Sequence, residues 1–293
     1  MDVVLLGPGF AAEIRGVSLD QVAARDDAYA AVRAAFEEHS VLLFRRQVIT
    51  DELQISYSRR FGPLEIAKVA SRGEGTPFSI LTNIDPNGGL VPPDHKEALR
   101  ARANQLWHTD SCFKDPPALA SVLSARVIAR SGGETEFASL RCAWERLPPT
   151  LRSRLSEAYA WHDYAHSRGK IAPHLASERE RSALPPVRWR MRWRNPANGR
   201  DSLYLASHTC AIDGLPEHEA RSLIADLIDR ATAAEHTYLH RWQPGDVIMW
   251  DNRCVLHRGR PWPDDQPRHV VRTTITATEA DGLAEMRWSG NTA

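Results

Sequence analysis

His108 and Asp110 stand two residues apart in Asn104-Gln105-Leu106-Trp107-His108-Thr109-Asp110. On an extended chain alternate side chains leave the same face, about 7 Å apart at Cα, so this imidazole and carboxylate can share one metal ion while Thr109 points away. A third ligand must come from elsewhere, and His257, in Trp250-Asp251-Asn252-Arg253-Cys254-Val255-Leu256-His257-Arg258-Gly259, is the candidate. Two histidines and a carboxylate on one side of an ion leave positions open, which is the arrangement of non-haem Fe(II) oxygenases. In a chain with twelve histidines, H-x-D alone is a weak signal. It gains weight from Arg268 and Arg272, in Arg268-His269-Val270-Val271-Arg272. Four residues apart on a strand, they share a face at about 13 Å between Cα atoms. Buried arginines need partners, so two of them facing one cavity imply anionic ligands; on an exposed face the same pair would merely be solvated.

These residues require strands to carry them. Residues 1–20 suggest short strands with glycine turns, 28–38 an amphipathic helix, and 40–44 a buried strand. Thr50 can cap a helix in which Leu53, Tyr57 and Phe61 recur at helical spacing until Gly62-Pro63. Residues 69–103 are rich in Gly, Pro, Asp and Asn, which predicts a long loop around one short strand at 78–81; it is either a lid over the metal or a disordered excursion. Further strands are expected at 120–129, 237–242, 246–250 and 269–275. Helices are expected at 140–146, 149–159 and 216–233, so that 139–235 forms a helical insertion. Strand-rich ends whose ligands meet on one metal argue for a single domain over 1–293, mostly β with helical insertions, built on an antiparallel barrel or jelly-roll core.

Composition excludes several functions. Thirty-seven basic and thirty-seven acidic residues balance, so no global field holds nucleic acid or an anionic membrane. The stretch Arg188-Trp189-Arg190-Met191-Arg192-Trp193-Arg194 is basic and aromatic, but it stands alone and fits a strand with one wet face. Cys112, Cys142, Cys210 and Cys254 have no C-x-x-C spacing, and free thiols in a reducing cytosol are expected. The N-terminal apolar run is broken by Gly7-Pro8-Gly9, so neither a signal peptide nor a membrane span is expected, and the protein should be cytoplasmic.

Several stretches together resemble the taurine dioxygenase and 2,4-dichlorophenoxyacetate dioxygenase family of Fe(II)/2-oxoglutarate enzymes. They are Phe61-Gly62-Pro63-Leu64-Glu65, residues 104–110, Ser131-Gly132-Gly133-Glu134-Thr135-Glu136-Phe137, residues 245–258 and residues 268–274. The resemblance spans nearly the whole chain and implies a double-stranded β-helix. It implies that His108, Asp110 and His257 hold iron, that Thr135 and Arg268 hold the far carboxylate of 2-oxoglutarate, and that Arg272 holds the acidic group of the substrate. The text is most similar to the aryloxyalkanoate branch, whose substrates are oxidised next to the ether oxygen with O2 as co-substrate. Asn104 resembles a substrate-contacting position, against a plain turn asparagine, and Lys68 a second cation for a carboxylate, against a solvated loop lysine. The pocket stretches 162–168 and 206–208 match only loosely. A small-molecule carboxylic acid is the expected partner, and the chain itself is expected to form a homo-oligomer.

Competing readings are an alkylsulfonate such as taurine as substrate, a Zn-dependent hydrolase on the same three ligands, or a jelly-roll binding protein. A hydrolase usually carries a Glu base nearby, and no H-E-x-x-H is present.

Overall fold

The computed structural model describes residues 1–288 and residue 290. Seven strands form a large sheet: β1 (Asp2–Leu6), β2 (Ala11–Arg15), β3 (Val41–Phe44), β4 (Phe78–Thr82), β5 (Ala118–Val127), β13 (Val247–Asp251) and β15 (His269–Thr276). Their order is β1-β2-β3-β13-β5-β15-β4, antiparallel throughout except for the β2–β3 pair. A second sheet, β12-β6-β14, comprises β6 (Thr135–Ser139), β12 (Thr237–His240) and β14 (Val255–Gly259).

Apolar pattern explains the layering. Every residue of β13, Val-Ile-Met-Trp-Asp, is buried, because the strand is central and covered on both faces. One face meets the small sheet through Val41, Leu43, Leu123, Phe137, Ile248, Trp250 and Val255. The other face packs under α1 (Leu19–Ala24), α2 (Asp26–His39) and α3 (Asp51–Arg59), which contribute Val22, Phe36 and Tyr57. Thr50 caps α3 by accepting from the Leu53 N–H, as its position before the apolar run predicts. Gln54 of α3, fully buried, donates to the carbonyls of Val122 and Val271 and so ties the helix to β5 and β15.

Between β4 and β5 lies α4 (Lys96–Ala103), and β4 pairs with β15. The strand expected at 78–81 within the 69–103 segment is therefore present, as an edge strand of the large sheet, but the rest is not all loop: it also supplies a helix. Likewise 139–235 is mixed rather than helical. It carries α5 (Leu140–Arg146), α6 (Pro149–Ser156), α7 (Tyr164–Gly169), α8 (Glu178–Ala183) and α9 (Glu217–Ala231). It also carries a β11-β7-β8 sheet of β7 (Tyr159–His162), β8 (Val187–Arg190) and β11 (Thr209–Ile212), and a hairpin of β9 (Arg192–Arg194) with β10 (Asp201–Leu203). Trp189 and Trp193 of the basic stretch are buried, donating to the carbonyls of Cys112 and Asp281, while Arg188 and Arg190 pair with Asp213 and Glu157. The alternation expected of a strand with one wet face is present, carried by two short strands, β8 and β9. No described helix is long and apolar enough to cross a membrane.

Candidate active site

The site is built where the two sheets meet. His108 does not lie on a full strand: α4 ends at Ala103 with Asn104 as its C-cap, a turn follows, and only His108 pairs, directly opposite His257 of β14. The pairing is reciprocal, with N–H to carbonyl distances of 3.0 and 2.8 Å. The chain then turns at Ser111, whose φ is 51°. The extended stretch expected over 104–110 thus shrinks to one bridge, because the helix before it takes up Asn104. The convergence of the ligands survives: one ligand atom from each of His108, Asp110 and His257 lies within 4.8 Å of the others, and all three residues are buried.

Chemistry at the three groups suits a cation. The Nδ1 of His108 lies 2.7 Å from the Leu106 carbonyl, which fixes the proton there and leaves Nε2 bare toward Asp110. Burial lowers the proton affinity of His108 and His257, so both are neutral ligands near pH 7. For Asp110, burial alone would raise the pKa, but the Arg272 charge foremost, with the Ser121 hydroxyl bonded to it, outweighs burial and holds the group at about 2. Its orientation is set by the Ser121 hydroxyl, which donates to Oδ2 at 2.7 Å, and by Arg272, which pairs with Oδ1. Asn252 completes this frame. Its Oδ1 accepts from the Asp110 N–H and the Trp250 indole, and its amide donates to Ser121.

A cavity of about 160 Å³ opens onto the triad, and Arg268, Arg272, Thr135, Lys68 and Asn104 all line it. Arg268 and Arg272 share one face as their spacing predicts. Arg268 is 9 % exposed; its guanidinium donates to the Gly133 carbonyl at 3.1 Å and stacks 5.0 Å from the Trp262 ring. No carboxylate pairs with it among the described residues, and burial pulls its pKa down to about 10, so it stays charged at neutral pH. Gly133, at φ +71°, makes room for it: a Cβ there would lie 3.0 Å from Arg268 Nε. The Thr135 hydroxyl accepts from the Trp242 indole at 3.1 Å, which leaves its proton free to donate into the cavity.

Residues 2–274 match the family described as "Taurine catabolism dioxygenase TauD, TfdA family". The chain belongs to that family. It is 38 % identical over 280 residues to an alpha-ketoglutarate-dependent 2,4-dichlorophenoxyacetate dioxygenase of Cupriavidus pinatubonensis, covering 94 % of this chain and 97 % of the relative. It is 35 % identical to an (S)-phenoxypropionate/alpha-ketoglutarate-dioxygenase of Sphingobium herbicidovorans, covering 97 % of each. Among solved structures, AAD-2 in complex with Mn(II) and N-oxalylglycine superposes with a TM-score of 0.87 at 32 % identity, over 96 % of this chain and 100 % of that one.

Within this TauD/TfdA chain one expected pocket residue, Lys68, has another commitment. Lys68 bonds the buried Glu180 carboxylate at 2.8 Å and sits 4.7 Å over the Tyr164 ring, so its charge is already met. Asn104 is the C-cap of α4 and lines the cavity; the bond that it accepts from the Gly259 N–H at 2.9 Å is made by its backbone carbonyl and does not engage the side chain. Ser121 and Asn252 escaped the sequence reading. A lone serine on a buried strand carries no pattern, whereas Asn252, five residues before His257, was visible within a motif but had no evident partner.

Proposed function

We propose that the chain is an Fe(II)- and 2-oxoglutarate-dependent dioxygenase that hydroxylates an aryloxyalkanoic acid at the carbon next to the ether oxygen. The observation that carries this is Arg268, a buried cation without a carboxylate partner, facing the cavity that His108, Asp110 and His257 also line. The two-sheet core corresponds to a double-stranded β-helix, and the free cysteines fit a reducing cytoplasm.

The donor set fits iron: two neutral imidazoles and one anionic carboxylate converge from one side and leave the cavity side open. When bound, the metal supplies O2 activation, coupled to oxidative decarboxylation of 2-oxoglutarate to succinate and CO2 and to insertion of one oxygen atom into a substrate C–H bond. The chain's own residues do the rest. Arg268 forks onto the far carboxylate of 2-oxoglutarate, a planar bidentate match that lysine lacks, and the Thr135 hydroxyl donates beside it. Ser121 and Asn252 keep Asp110 in one orientation. Arg272, at the Asp110 carboxylate, places a positive charge beside the substrate's acidic group, and position selects which C–H is reached. An aryloxyacetate hydroxylated at that carbon is a hemiacetal, which collapses to a phenol and glyoxylate. N-oxalylglycine, held by the structural neighbour, is 2-oxoglutarate with an NH in place of one CH2, and supports the same assignment.

The test is succinate release under air with Fe(II) and 2-oxoglutarate, adding phenoxyacetate, each enantiomer of 2-phenoxypropionate, or taurine in parallel. Succinate formed in step with phenol from one aryloxy acid is expected. Coupling to taurine alone would move the substrate to the sulfonates, and absence of 2-oxoglutarate turnover by iron-loaded protein would overturn the reading.

A further inference from the structure

Arg168 is an arginine of the cavity wall that neither the metal frame nor the 2-oxoglutarate end uses. It lies in α7, is 8 % exposed and lines the cavity. Its side-chain hydrogen bond among the described residues is a long one, 3.5 Å to the Ser167 hydroxyl; its Nε is buried without a partner, and no carboxylate pairs with it. The guanidinium packs 4.6 Å from the Tyr164 ring centroid. From Tyr164 a run of rings leads back to the metal ligands: Phe113 at 5.1 Å, then His208 at 4.8 Å, then His108 at 6.3 Å.

A charge this deep is costly unless something completes it. Several other cations of the cavity wall show what completion looks like: Lys68 and Arg100 both bond Glu180, Lys114 bonds Glu65, Arg272 pairs with Asp110, and Arg72 donates to the Ile84 carbonyl. Arg268 lacks a carboxylate, as Arg168 does, but sits at the Thr135 and Gly133 end. Arg168 sits on the His208 side, beside a wall of aromatic rings suited to a flat apolar group. Its planar fork matches a carboxylate. Arg272 lends positive charge to the same acidic group, but its guanidinium is paired with Asp110, which leaves the unpartnered fork to Arg168.

We infer that Arg168 is a substrate-positioning residue that binds the carboxylate of the oxidised acid, with the substrate's ring against Phe113 and His208. This rests on the aryloxy-acid reading above. The experiment compares wild type, R168Q and R168K with phenoxyacetate and its methyl ester, following succinate and phenol. Equilibrium dialysis of labelled phenoxyacetate against the metal-free proteins is run beside it. In R168Q the KM for the acid should rise at least tenfold, the KM for 2-oxoglutarate should stay within threefold, and acid-over-ester selectivity should fall at least tenfold. R168K, which keeps the charge and loses the fork, should fall between, and dialysis should rank the three proteins in the same order. An unchanged KM for the acid in both variants, or equal losses on acid and ester, would overturn the inference while leaving the parent reading intact. Wild type that neither binds nor oxidises any aryloxy acid would overturn both.

Discussion

Two buried arginines show how a cation's surroundings separate function from support. Arg253 is 2 % exposed and bonds Asp251 and Glu37 at 2.8 and 2.7 Å, with the Asn195 side chain beside it. Its charge is answered inside the protein. Removing it strands the Asp251 carboxylate, while Glu37 keeps Arg33 and Asn195, so R253M should lose about 3 kcal/mol of stability, read from denaturant midpoints. Arg268 has no such partner, so R268A should unfold close to wild type in the absence of ligand. Its loss should appear instead as a KM for 2-oxoglutarate raised about a hundredfold, or about 2.7 kcal/mol, since a charge-assisted fork is lost. Equal destabilisation by the two substitutions would make Arg268 a structural residue. This distinction was only half legible in the sequence. The four-residue spacing of Arg268 and Arg272 announced a shared face, but nothing near Arg253 announced Glu37, 216 residues earlier. Arg168 stood among loosely matching pocket residues and gave no signal.

At the scale of elements, one wall of the cavity is held together by a buried carboxylate. Glu180 of α8 accepts from Lys68 at 2.8 Å, Arg100 of α4 at 2.9 Å and the Tyr164 hydroxyl of α7 at 2.9 Å. Burial would raise its pKa, but hydrogen bonds from Lys68 and Ser177 prevail and hold it well below its ordinary 4.5. Because the folded pKa is depressed, the latch stabilises the fold fully above the unfolded value and loses that contribution as pH falls through the folded one. E180Q should therefore cost about 2 kcal/mol at pH 7, the partners being partly exposed. The gap to wild type should close as pH drops below about 4.5. Faster amide exchange in 68–103 of E180Q would locate the loss; an unchanged exchange pattern would show that the latch does not hold this wall. Sequence could not show this. The α4 segment, Lys-Glu-Ala-Leu-Arg-Ala-Arg-Ala, consists of good helix formers but has no apolar stripe, and flanking Gly and Pro residues masked it. The apolar strands β5, β13 and β15 were found within a few residues because their burial is written in their composition.

At the scale of the molecule, the site is a seam. Its ligands and arginines come from positions 108 to 272, held by the His108–His257 bridge, by β14 of the small sheet, and by β5 and β15 of the large one. No local unit contains the site, so a ligand that bridges the seam binds the folded chain and not the unfolded one. Linkage then fixes the consequence: ligand at a hundred times its Kd adds about 2.7 kcal/mol to the stability of the whole fold, about 5 °C in Tm for a chain of this size. Mn(II) with N-oxalylglycine provides the test without turnover. On the proposed reading wild type should gain more from the two together than from the sum of each alone, because a metal bound by the triad would hold the near end of the organic ligand and Arg268 the far end. R268A should keep the gain from Mn(II) and lose most of the gain from N-oxalylglycine; D110A should lose both. A full N-oxalylglycine shift in R268A would place the far carboxylate somewhere other than Arg268, and a full Mn(II) shift in D110A would remove Asp110 from the metal set.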